Sequence, residues 1–132
     1  MDFENVPTHV LIGDFDTWTP AQACIEFEEI MHSLDYDFHV TVYDSSYHSF
    51  DRTMGLKYIE NAYSFKDCRF RIGNDGSVLM NFLNIPMSTP TLQKMGLLFC
   101  AERGSMIGNN PSARSKAFIF SEQFMSKHLL GK

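Results

Sequence analysis

The sequence is short of almost everything a membrane, secreted-scaffold or nucleic-acid protein relies on. No run of apolar side chains exceeds five residues. A spanning helix needs about 20, so a transmembrane segment is excluded. Basic residues are in the minority, with 11 Lys and Arg against 16 Asp and Glu, for a net charge of −5. A nucleic-acid module presents a basic face, so no nucleic-acid partner is expected. Three cysteines (Cys24, Cys68 and Cys100) are too few for a disulfide scaffold, and their spacing fits no zinc motif. His9, His32 and His39 also lack a metal-ligand spacing, so neither a metal nor another cofactor is expected. The first residues, MDFENVPTHV, carry neither a basic region nor an apolar core. That pattern is not a secretory signal. It implies a cytoplasmic location by default, and a periplasmic one only if an upstream segment is missing.

What the chain does have is ordinary globular material. Of 132 residues, 44% are hydrophobic and 20% charged, which suits one folded domain. Twelve Phe and eight Met give a short chain a great deal of apolar surface to bury.

Residues 8–13, THVLIG, form a short β-branched run closed by Gly13, the pattern of a buried strand. Thr19, Pro20 and Gln22 then compose a capping box ahead of a helix over 20–33. Its apolar stripe is Cys24, Phe27, Met31 and Leu34. Residues 38–43, FHVTVY, alternate strictly and make a second strand. Strand, helix and strand within about 36 residues make a βαβ unit, which implies parallel pairing.

The rhythm breaks after residue 51. Residues 68–82 read as a hairpin around Asn74-Asp75-Gly76. Residues 85–104 read as a short helix with Ser88 or Thr89 near its cap, Pro90 in its first turn and Gly104 beyond its end. The last segment is the clearest helix: Asn110 caps it, Pro111 starts it, and Ala113, Ala117, Phe120 and Phe124 form its stripe. Lys127 and His128 occupy the last turn, and Gly131 ends it.

Ligands of open α/β sheets bind beyond the carboxyl ends of the strands. Both strands of the βαβ unit end in titratable loops, with Asp14 and Asp16 after the first and His48 and Asp51 after the second. A carboxylate and an imidazole at one sheet edge can form an acid–histidine pair, in which the carboxylate fixes the tautomer and stabilises the imidazolium. Asp14 follows Gly13 directly and is read as solvent-facing. Ser45, Ser46 and Ser49 are read as turn residues.

At these residues the chain resembles the C-terminal part of the dienelactone hydrolase family of α/β-hydrolases. Gly13-x-x-Asp16, followed by Trp18 and Pro20, looks like that family's catalytic-acid loop. Tyr43 followed by His48-Ser49-Phe50 looks like its histidine loop. The resemblance covers roughly residues 8–51 and 105–130, with 52–104 as an insertion. It implies that the whole chain, 1–132, is one partial α/β-hydrolase domain, a βαβ unit plus a closing helix with an inserted hairpin and helix. It further implies catalytic roles for Asp16 and His48 on a small ester or lactone, with Trp18 and Phe50 near the substrate.

The nucleophile is missing. No G-x-S-x-G or cysteine equivalent precedes Asp16, and Gly104-Ser105-Met106-Ile107-Gly108 has the wrong order and place. The oxyanion-hole loop is missing with it, so the chain alone is expected to be inactive. Cys68 and Cys100 bracket the insertion; a disulfide between them and two buried thiols are equal alternatives. The competing reading is a non-catalytic binding or oligomerising module, a homo-oligomer whose exposed sheet edge is covered by a second copy.

Overall fold

A computed structural model describes residues 6–73 and 75–131 of the chain; residues 1–5, Asn74 and Lys132 lie outside it. Among the described residues the architecture is mixed α/β, with three helices and three two-stranded sheets. The first unit is β1 (Thr8–Gly13), α1 (Ala21–Ser33) and β2 (Phe38–Tyr43). β1 and β2 pair in parallel, from Thr8 opposite Phe38 to Gly13 opposite Tyr43. The two site loops therefore leave the sheet at the same end.

α1 begins one residue later than the capping box implies. Pro20 occupies the N-cap, and no side chain caps the helix. Thr19 is drawn away because its backbone amide is held by Asp16. The stripe of α1 is only partly buried: Met31 is in the core, while Phe27 and Leu34 stay exposed.

The middle of the chain departs most from expectation. β3 (Lys57–Ser64) and β6 (Glu102–Ile107) form an antiparallel pair that the sequence did not announce. Gly104 is therefore not a helix stop. It lies in β6 with φ of 92°, and a Cβ there would collide with the Tyr58 hydroxyl. The hairpin is present as β4 (Phe70–Ile72) and β5 (Val78–Met80). Of its expected turn residues, Asn74 is outside the described residues, and Gly76 has the positive φ the turn requires. α2 (Pro90–Leu97) is shorter than its segment; Thr89 caps it by accepting from the Leu92 amide.

α3 (Pro111–Leu130) is capped by Asn110, which accepts from the Ala113 amide, and ends on Gly131 in the left-handed conformation. Ala113 and Ala117 pack with Tyr43 and Phe50 in the main core cluster, with Leu11 against it. Small alanines let α3 lie close over the end of β2, which fixes the histidine loop from behind. No helix among the described residues is long and apolar enough to cross a membrane.

Candidate functional site: an aspartate–histidine pair beside an open strand edge

The loops after β1 and β2 are locked together before any side-chain chemistry begins. The Asp14 amide donates to the Tyr43 carbonyl (3.1 Å) and the Phe15 amide to the Ser46 carbonyl (3.0 Å). In return, the Ser46 amide donates to the Asp14 carboxylate at 3.0 Å. Gly13 is required by this approach, since a Cβ at that position would collide with the Ser46 carbonyl. Ser46 is completely buried. Asp14 is exposed, as expected, yet its carboxylate ties the loops.

From this junction the chain turns Asp16 inward. One carboxylate oxygen, Oδ1, accepts from the Trp18 and Thr19 amides at 2.9 and 2.8 Å, a turn typical of aspartate. The other, Oδ2, lies 2.9 Å from Nδ1 of His48. The Asp16 side chain is 8% exposed and that of His48 is 32% exposed. A carboxylate with both oxygens engaged and little solvent contact is a rigid acceptor. It holds the proton on Nδ1 and leaves Nε2 with its lone pair. No serine or cysteine hydroxyl or thiol among the described residues hydrogen-bonds to Nε2.

The ring of His48 is further fixed by its surroundings. The Trp18 ring meets it edge-on at 4.5 Å. Its backbone carbonyl accepts from the Gly108 amide (3.1 Å), and His48 forms a parallel bridge with Ile107. Asn110 has a role that its capping pattern alone does not reveal: Nδ2 donates to the Ser46 hydroxyl at 3.0 Å and to the Asp44 carbonyl at 3.2 Å. One side chain thus starts α3 and braces the histidine loop. Behind the acid, the Thr17 hydroxyl meets the Ser105 hydroxyl at 2.7 Å, and the Thr17 carbonyl accepts from the Phe65 amide. The middle segment therefore supports the acid loop directly.

His48 and Asp16 line a cleft of about 550 Å³ that also touches Val10, Ile12, Phe50 and Phe118. It follows β1, whose other edge pairs with no strand among the described residues. Phe50 is buried against Tyr43, with ring centroids 5.1 Å apart, so it serves the core more than the cleft. Trp18 also borders an apolar groove of about 440 Å³ shared with Phe65, Phe70, Met87 and Leu97. Cys24 touches both spaces. Burial, and then the negative charge of Asp16, push its thiol pKa up, which keeps it protonated and a poor nucleophile. Cys68 and Cys100 are joined as a disulfide across 32 positions of sequence.

No family model, no curated protein and no solved structure matches the chain.

Away from this site, the structure gathers Glu28, His32 and His39 at the opposite end of α1 and β2. The sequence spacing of the histidines, from which no metal is expected, does not announce this cluster. Glu28 and His32 are four apart on a helix, but the third member comes from the next strand.

Proposed function

We propose that Asp16 and His48 are the acid and base of a Ser–His–Asp or Cys–His–Asp hydrolase resembling the dienelactone hydrolases, acting on a small ester or lactone. The observation that carries this reading is the 2.9 Å contact between Nδ1 of His48 and an aspartate whose other oxygen is anchored by two amides. The nucleophile and oxyanion donors are to be supplied by polypeptide outside this sequence, lying along the open edge of β1. On this reading the βαβ unit and α3 are the C-terminal portion of an α/β-hydrolase fold.

The chemistry follows from the fixed tautomer. Nε2 takes the proton of the incoming hydroxyl or thiol as its oxygen or sulfur bonds to the ester carbonyl. The imidazolium that forms is stabilised by Asp16. It returns the proton to the departing alkoxide as the carbon–oxygen bond breaks, leaving an acyl-enzyme. Water then attacks that acyl group, Nε2 accepts its proton, and the acid is released as the nucleophile is reprotonated.

The test is to read the nucleotide sequence preceding residue 1 for an in-frame or frameshifted G-x-[SC]-x-G and to express the extended product. Where that residue is a serine a fluorophosphonate probe, and where it is a cysteine an acyl-enzyme trapped from a p-nitrophenyl ester, is expected to mark the extended product there and to leave the 132-residue chain unmarked. Labelling of the short chain, or absence of any such motif upstream, would overturn the proposal.

A second reading has its own observation. Phe118, Ile119 and Leu129 on α3, and Ile30 on α1, are more than half exposed, which suits a self-associating module. Light scattering separates the two: a defined homodimer whose assembly survives His48→Ala favours the module.

A further inference from the structure

We propose that Glu28, His32 and His39 form a binding site for a zinc-class divalent cation, separate from the Asp16–His48 pair. One ligand atom from each of the three lies within 4.8 Å of the others. Nδ1 of His39 and Oε1 of Glu28 are already 3.7 Å apart. Two ligands bound tetrahedrally at zinc distances sit about 3.4 Å from each other, so that pair needs almost no rearrangement.

Each ligand is also held from behind. Nε2 of His32 lies 2.6 Å from the Phe38 carbonyl, to which it can donate, leaving Nδ1 for a metal. Nε2 of His39 lies 3.2 Å from the Asp37 carboxylate, leaving Nδ1 facing Glu28. Oε1 of Glu28 accepts from the Val40 amide at 2.9 Å. A carboxylate or carbonyl on the far nitrogen of a ligating histidine fixes its tautomer and raises its basicity. Both histidines here have one.

The fold explains the convergence. Glu28 and His32 are one helical turn apart on α1. Asp35, with φ of 60°, turns the chain sharply, so that β2 starts beside the helix it has just left. Two imidazoles and one carboxylate select zinc and its late transition-metal neighbours over magnesium or calcium. His39 is half exposed, so the site is open to solvent and has room for water as a fourth ligand.

Zinc chloride titrated calorimetrically into the purified chain tests this, with magnesium chloride as the control. Saturable one-to-one binding of zinc and none of magnesium is expected. His39→Ala and His32→Ala should each weaken zinc binding about tenfold or more, and Asp37→Asn about 10- to 100-fold. Glu28→Gln, which keeps an acceptor for the Val40 amide and so protects the fold, should also weaken it about tenfold or more, by analogy with losses of that size. His48→Ala and His128→Ala should leave it unchanged. Absence of saturable zinc binding by the parent chain would overturn the proposal. So would undiminished binding by a His39→Ala variant with the parent's circular dichroism, or loss of binding in His48→Ala alone.

Discussion

Asp16 is a rigid acceptor because its two oxygens have separate partners. Oδ1 is consumed by the Trp18 and Thr19 amides, so Oδ2 cannot swing away from His48. The expected consequence is a single neutral tautomer of His48, with its proton on Nδ1. Nitrogen-15 correlation spectra of the folded chain check this; Asp16→Asn should yield a mixed or reversed pattern. A His48 that is protonated on Nε2 in the parent would refute the assignment. Gly13 is the second residue whose identity is forced. Any side chain there meets the backbone of Ser46, which cannot move aside. Gly13→Ala should therefore cost about 3 kcal/mol, seen as a lower urea midpoint, together with loss of the single tautomer. Both residues stood out in the sequence as Gly-x-x-Asp. The bracing by Asn110 did not, because its cap signature accounts for its oxygen and says nothing of its nitrogen.

At the scale of elements, legibility followed locality. β1, α1, β2 and α3 were readable because their periodicities and end signals lie within a few residues of one another. β3 and β6 were not. Lys57–Ser64 places Glu60 and Asn61 in mid-strand, and its pairing with β6 shifts register between Ile59 and Tyr63. Nothing local marks such a strand; it exists through a partner 38 to 50 residues away (Ser64 to Glu102, Lys57 to Ile107). Gly104 misled for the same reason, since the group that requires a glycine there is Tyr58. The disulfide sits in this non-local region, joining the stretch after β3 to the turn after α2. Closing a loop of that length should contribute about 2–4 kcal/mol. Reduction, or a Cys68→Ser/Cys100→Ser double substitution, should lower the unfolding midpoint accordingly, while the His48 tautomer persists. An unchanged midpoint would show that β3 and β6 are held by their ladder alone.

The molecule as a whole exposes 9152 Å², where a folded monomer of 15.2 kDa exposes about 7,100 Å². The surplus is spread along the chain: β3, β4, α2 and α3 all carry exposed large apolar side chains, Tyr58, Ile72, Met95 and Ile119 among them. α3 buries Ala113 and Ala117 and leaves Phe118, Ile119, Leu129 and Leu130 exposed. Among the described residues one edge of β1 pairs with no strand, and the cleft lined by β1 reaches His48. The Phe-rich composition foreshadowed this surplus, because a two-stranded parallel sheet has too little area to cover both its faces. On the proposed function, one added strand along that edge of β1, with its following turn, would bring the nucleophile to His48.

Ester hydrolysis by the N-terminally extended product tests that view most directly. Steady-state rates on a p-nitrophenyl ester should fall about 10⁶-fold in kcat for His48→Ala and about 10⁴-fold for Asp16→Asn, with KM little changed. The double variant should be no worse than His48→Ala, since the two side chains act as one unit. Retention of parental kcat by His48→Ala in a folded, extended protein would contradict the assignment of His48 as the base.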